Sequence, residues 1–367
     1  MADHKYVVIG GGLIGYSIAY GLSRRGEDVL VLDEGDIAVR AAWGNFGLIW
    51  VQGKGAGFSP YFQWTNLSAS RWPELVHELT DLTGIDLEYE NKGGIRYCLT
   101  ETEMQNRAAI MEQLREQEQG RFSFEVLDQK ALRSALPMIG PAVVGGIYCP
   151  KDAHVNPLAL LRSLHTSVVK KGGKLLSNIN VRKIRSGKNG IVIDLGDRTL
   201  TTNKLILAAG LGTQALAEQF DMAIPVRPNR GQMMITERME PFLDYPSTFL
   251  RQTGAGTVQI GDSHEDVGFE SGVSIPVLAR ISARAVSCFP ILEQTRILRS
   301  WSCFRTMTPD GYPIYEQSKR EPHLFAAVAH SGVTLTPVHV YDFIDAIIEG
   351  RLSPILDAFT NRRFDVH

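Results

Sequence analysis

The sequence is poor in cysteine. It has four in 367 residues (Cys98, Cys149, Cys288 and Cys303), and no two form a Cys-x-x-Cys pair. That spacing excludes a zinc ribbon or an iron–sulfur cluster held by this chain alone. So sparse a set fits a reducing cytoplasm better than a disulfide-stapled scaffold. No stretch approaches the roughly 18 consecutive apolar residues of a membrane-spanning helix. The opening Met1-Ala2-Asp3-His4-Lys5 runs into a short apolar segment broken by glycine, without the apolar core and cleavage site of a secretory signal. A cytoplasmic protein without a membrane span is expected. Basic charge is not in surplus either: 38 Lys and Arg face 40 Asp and Glu, for a net charge of −2. A dedicated nucleic-acid binder, which needs a basic face to neutralise phosphates, is therefore disfavoured. Internal repeats, low-complexity tracts, proline-rich linkers, metal-ligand clusters and a nucleophilic triad are all missing.

What is present is an ordinary globular composition, 44% hydrophobic and 21% charged. The length suggests two domains at roughly 150 residues each. Glycine is abundant, 35 residues, partly in clusters that mark loops where backbone must approach something closely. Residues 6–9 read as a buried strand, 13–25 as a helix and 28–32 as a second strand, a βαβ opening. Residues 40–57 form a glycine-rich loop, and 60–83 read as helix that Pro73 kinks or divides. Strand 94–99 precedes a charged surface helix at 101–119 and a short helix at 128–135. The segment 156–171 reads as a helix capped by Asn156 with Pro157 in its first turn. Strand-like runs fill 174–207, and 225–263 alternates as an antiparallel sheet does. A helix is expected over 274–289, then strand 324–329, a glycine loop at 330–336 and a helix over 338–349.

The strongest local motif is Gly10-Gly11-Gly12-Leu13-Ile14-Gly15, with Gly10, Gly12 and Gly15 in the GxGxxG positions. The first allows a tight turn, the second admits a pyrophosphate, and the third lets helix pack on strand. The helix start, Leu13 and Ile14, then offers free N–H groups to phosphate. Asp33 ends the second strand, placed to accept hydrogen bonds from ribose hydroxyls, with Glu34 beside it. A carboxylate there repels a 2′-phosphate, which disfavours NADP; the motif alone leaves NAD and FAD open. The near match Gly254-Ala255-Gly256 lacks a following helix and reads as a hairpin turn.

Further segments, in this order and spacing, carry a resemblance: Arg40-Ala41-Ala42-Trp43-Gly44-Asn45-Phe46-Gly47, Leu207-Ala208-Ala209-Gly210, Pro225-Val226-Arg227-Pro228-Asn229-Arg230-Gly231-Gln232, Arg305-Thr306-Met307-Thr308-Pro309-Asp310-Gly311 and His330-Ser331-Gly332-Val333-Thr334. Over nearly its whole length the chain resembles the D-amino acid oxidase, glycine oxidase and sarcosine oxidase family of flavoenzymes. The resemblance implies a mixed α/β and α+β fold, in which a Rossmann-like FAD-binding domain (1–80, 140–220 and 300–367) interleaves with an antiparallel-sheet substrate domain (81–139 and 221–299). It implies FAD, held without a covalent bond by the opening loop, Asp33, Glu34, Arg40, Gly44, Asn45, Phe46, Gly47, Val181, Ala209, Gly210, and His330 through Thr334. In one respect the sequence departs: many relatives carry Ser after the arginine at position 40, whereas here Ala41-Ala42 follows, which puts that phosphate contact in doubt.

The family reaction moves a hydride from the carbon beside an amine to flavin, and the imine then hydrolyses to an oxo acid and an amine. The cofactor carries the difficult step, so no protein nucleophile is needed. Arg305 is the first candidate to clamp a substrate carboxylate, since its fork matches two parallel hydrogen bonds; Arg251 is a second. His264, Glu265 and His330 are candidates to handle the amine's proton. Lys54 lies in the flavin-side loop, and Tyr245 is a lid residue. Cys303 stands near a position where sarcosine oxidases bond flavin covalently, although a small buried thiol is the plainer reading. The runs 45–55 and 261–266 are similar to the branch that contains opine oxidase B subunits and D-hydroxyproline dehydrogenases. That likeness implies a catalytic subunit that oxidises an opine such as octopine or nopaline to arginine and a 2-oxo acid, with partner subunits carrying a second flavin or an iron–sulfur cluster. D-hydroxyproline oxidation, glycine- or sarcosine-type oxidation and a non-catalytic FAD-binding subunit are the alternatives.

Overall fold

The computed structural model describes residues 2–35 and 41–364. Arg40 lies outside the described residues. The chain opens with strand β1 (His4–Ile9), helix α1 (Leu13–Arg24) and strand β2 (Val29–Leu32). β1 pairs in parallel with β2 on one side and with Thr199–Leu207 on the other; Leu324–Val328 and Lys174–Leu176 extend the parallel order at either end. Parallel strands are buried on both faces, which is why β1 and β2 read as unbroken apolar runs. Alternate residues serve two cores. Tyr6, Val8 and Val31 pack under α1 and the C-terminal helix, while Val7, Ile9, Leu30 and Leu32 pack against Ile184, Ile191, Ile193 and Phe220.

A second layer is antiparallel. Leu250–Gln252, Thr257–Ile260, Arg227–Arg238 and Ile297–Met307 pair in that spatial order, and Gly94–Cys98, Gly145–Cys149 and Glu125–Asp128 form a three-stranded sheet. Helix Ile275–Cys288 closes their shared core around Tyr97, Met234, Leu250 and Phe289. Two strands run past the segment limits expected from sequence. Gly145–Cys149 completes the small sheet beyond residue 139, and most of Ile297–Met307 follows residue 299. A strand's sheet is set by its pairing partner, which local sequence does not announce.

Capping explains the helix ends. Asn156 accepts from the N–H groups of Leu158 and Ala159, both at 3.1 Å, ahead of helix Pro157–Lys170. The expected 60–83 helix is two helices, Ser59–Ser70 and Trp72–Thr83, divided at Arg71 with Pro73 in the first turn of the second. The segment Gly254-Ala255-Gly256 is a hairpin turn, with Gly256 at φ 86°. The C-terminal helix starts at Thr336, earlier than expected, and passes through a π-helical turn at His339–Phe343 before Ile344–Glu349.

Candidate active site

At the end of β1 the backbone turns sharply at Gly10, φ 111°. A Cβ on Gly15 would stand 1.8 Å from the Gly10 carbonyl oxygen, so only glycine lets α1 close on the turn. Gly12 is the N-cap of α1 and provides no side-chain cap, and a Cβ built on it meets nothing within 4 Å. The result is an open cradle lined by helix N–H groups and the positive end of a helix dipole, which suits a pyrophosphate. Asp33 accepts from the N–H of Gly11 at 2.6 Å and of Gly35 at 2.9 Å, which fixes its carboxylate at the cradle's edge; Glu34 is exposed beside it. Ala209 and Gly210 follow strand Thr199–Leu207, and the Ala209 backbone lies against Gly10. Val181 is buried in the core with Leu32 and Ile184.

Two loops join this cradle to the antiparallel layer. Asn45 accepts from Gly47 N–H at 2.8 Å and donates to the Ala41 and Ala42 carbonyls, so it folds its own loop. A Cβ on Gly44 would strike the Cys303 sulfur at 1.8 Å, and one on Gly261 would strike the Phe46 ring. Cys303 is thus pinned beneath Gly44, and burial pushes its thiol up to about 11. The loop 330–336 reaches back the other way: a Cβ at Gly332 would touch Leu13 at 3.7 Å. Val333 is buried in the core beneath it. The Thr334 hydroxyl donates to Leu48 O at 3.2 Å and accepts from Trp50 N–H at 3.1 Å, latching one loop to the other. Ser331 bonds Lys54 Nζ and the Tyr61 hydroxyl.

Around these loops the charge is mostly positive. His330 is exposed to solvent, while enough protein surrounds its ring to desolvate it, as on the wall of a cleft. Enclosure, then Lys54, Arg305 and His264, hold its pKa well below the ordinary value of 6.5, so it is neutral at physiological pH. Arg305, on strand Ile297–Met307, lies over Gly231 and donates to Ser263 O at 2.8 Å, Asn229 Oδ1 at 3.2 Å and Asp262. The other Asp262 oxygen bonds His264 at 3.0 Å. Glu265 is engaged elsewhere, with Arg230, Gln232 and Ser263.

The structure therefore brings Arg305, His264, His330 and Lys54 together and sets Arg251 apart. Arg251 is only 2% exposed and donates to Gln259 Oε1, Val155 O and His154 Nδ1. Tyr245 packs against Tyr148 at the margin of the antiparallel core. Three residues at the site escaped sequence reasoning. Asp152 is fully buried; it accepts from the N–H groups of Val51 and Gln52 and from Gln52 Nε2, and burial raises its carboxyl to about 7 against those donors. Arg107 donates to the Gln52 carbonyl, and Arg96 lies close enough to Arg107 to depress it. The only available signal was Arg96 itself, a charged residue on a strand whose neighbours Ile95 and Tyr97 are core.

Comparison with known proteins agrees with this geometry. Residues 5–340 match the model of the FAD dependent oxidoreductase family DAO. The chain is 39% identical over 366 residues to the opine oxidase B subunit of Rhizobium meliloti, covering 100% of this chain and 99% of that one. It is 38% identical to the opine oxidase B subunit of Agrobacterium tumefaciens, covering 99% and 98%. The crystal structure of glycine oxidase from Geobacillus kaustophilus superposes with a TM-score of 0.91 at 24% identity, covering 98% of each chain, a likeness of fold. The open cradle at Gly12, the carboxylate of Asp33 and the glycine-rich backbone of the two loops would hold FAD. The chain belongs to the FAD dependent oxidoreductase family and uses FAD as its cofactor.

Proposed function

We propose that this FAD-dependent amine oxidoreductase oxidises an opine, a secondary amine flanked by carboxylates, as the catalytic subunit of a multi-subunit oxidase. The observation that carries the reading is the cleft in which Arg305 and Lys54 stand beside neutral His330, in a chain 39% identical end to end to an opine oxidase B subunit. Bound FAD supplies the hydride acceptor. Arg305, held in one orientation by Ser263, Asn229 and Asp262, binds one substrate carboxylate and positions the C–H. The surrounding positive charge lowers the pKa of the substrate's ammonium group, which frees the nitrogen lone pair that hydride loss requires. His330, kept neutral by enclosure and the same charges, offers a neutral polar group beside the amine, and the ammonium proton leaves to water. Oxidation gives an imine; addition of water then releases a primary amine and a 2-oxo acid.

The subunit role rests on the relatives' names, and the catalytic role on the complete charged cleft. The experiment is product analysis. The purified flavoprotein, alone and with its neighbouring subunits, is incubated with octopine and an electron acceptor. Arginine and a 2-oxo acid in equal amounts are expected, and Arg305→Met is expected to lower kcat/KM on the order of 100-fold. Turnover of cis-4-hydroxy-D-proline with octopine left intact would move the assignment to the hydroxyproline branch.

A further inference from the structure

Among the described residues, the arginines near the cleft fall into two groups. Arg230, Arg284 and Arg305 each bond a carboxylate: Glu265, Glu103 and Asp262 respectively. Arg96 and Arg107 have none within ion-pair distance, although both are largely enclosed. Arg96 donates to the Thr248 hydroxyl and lies near the Phe249 ring. Arg107 donates to Gln52 O at 2.8 Å, lies across Gly53, and keeps a buried Nε without any partner. Guanidinium groups removed from water are normally paired, because an enclosed unpaired charge is costly.

Their placement is informative. Arg96 shares a strand face with Gly94, which packs on Trp50 and Asp152, so it looks away from the Ile95 and Tyr97 core. It is close enough to Asp262 to feel its charge, and Asp262 holds Arg305. On its other side it is close enough to Arg107 to depress that group, whose pKa enclosure and Arg96 together lower to about 10. Arg107 touches Gln52 and Gly53, and the next residue, Lys54, bonds Ser331 beside His330. Arg96 thus lies near both Asp262, which holds Arg305, and Arg107, which adjoins the loop that leads into Lys54. Arg251, the other arginine without a carboxylate here, differs: its hydrogen bonds are met and it has almost no open surface.

We propose that Arg96 and Arg107 form a second carboxylate subsite, which selects substrates carrying a carboxylate on each side of the reacting amine. The inference rests on the amine-oxidising reading above and adds the residues that set substrate class. Arg305 takes the carboxylate on the reacting carbon, and the Arg96–Arg107 pair takes the other; within the chain Asp152 acts on Arg107, and Glu103 and Asp262 act on Arg96, without any of them reaching ion-pair distance. Both are positioning and specificity residues; the hydride transfer itself needs neither.

The test compares octopine with N-(4-guanidinobutyl)alanine, which keeps the carboxylate on the reacting carbon and lacks the one on the arginine side. In the wild-type holoenzyme, octopine is expected to have the higher kcat/KM by on the order of 10- to 100-fold, the range of a charge-assisted pair. Arg96→Met and Arg107→Met are expected to shrink that ratio towards one by raising the KM for octopine, with little change for N-(4-guanidinobutyl)alanine. Arg107→Lys is expected to restore part of it and to guard against a folding defect. Binding is read separately, by titrating each compound against the flavin absorbance band. If neither compound is oxidised but octopine still binds more tightly than the monocarboxylate, and the methionine variants abolish the difference, the subsite stands and the reaction assignment falls. Flavin-loaded variants with an unchanged ratio, or with equal losses on both compounds, would overturn the subsite.

Discussion

A methyl group at position 15 would collide with the Gly10 carbonyl oxygen at 1.8 Å, and that oxygen belongs to backbone that cannot move aside. Gly15→Val is therefore expected to yield a nearly colourless protein whose flavin absorbance relative to protein absorbance falls at least 10-fold; full flavin content would contradict the role given to the cradle. Buried histidines make a second residue-scale prediction. Burial, then Arg251, lowers the pKa of His154 from 6.5 to about 4, and burial lowers that of His339 to about 3. Below pH 6.5 the unfolded chain binds protons on these rings that the folded chain refuses. Stability is thus fully present above pH 6.5 and is lost as pH falls towards 4. Urea midpoints measured between pH 4 and 7 are expected to drop on the acid side, and His339→Gln is expected to flatten that limb. At this scale the sequence was legible where a motif spans a few residues, as with Gly10, Gly15, Asp33 and the Arg305 strand. Arg96 and Arg107 were opaque. One sits on a strand and the other on a surface helix, and only the fold brings them near one another.

Elements join through latches more than through broad contact. Thr334 ties the loop ahead of the C-terminal helix to the flavin-side strand through Leu48 and Trp50. Thr334→Val preserves shape and removes both bonds, leaving buried backbone groups unmet. A cost of about 1–3 kcal/mol is expected, with faster flavin release on dilution. Asn156→Ala, which removes a cap bonded to two N–H groups, is expected to cost about 1 kcal/mol and to leave turnover unchanged. Elements with punctuation were readable in advance: the Asn156 cap, the division near Pro73, the hairpin at Gly254–Gly256. The small sheet was less so, because Gly145–Cys149 finds its partners about 20 and 50 residues back. The π-helical turn at His339–Phe343 left no mark in the apolar periodicity.

For the molecule as a whole, the net charge of −2 conceals an uneven field. Lys54 and Arg305 line the cleft beside His330, and Arg96 and Arg107 lie close to one another near Asp262. Such a cleft draws anions by long-range attraction that salt screens. The KM for octopine is therefore expected to rise several-fold between roughly 20 and 300 mM salt, and more steeply than that for N-(4-guanidinobutyl)alanine. The architecture allows this arrangement because the parallel sheet and the antiparallel layer are threaded by one chain, and the loops that cross between them carry the cleft. The central claim is tested most directly by mixing the holoenzyme with octopine in the absence of oxygen and recording the flavin's visible absorbance band. The band is expected to bleach on mixing, with arginine appearing in an amount equal to the flavin reduced. A protein that dithionite bleaches but octopine does not, even with its partner subunits present, would contradict the opine-oxidising assignment.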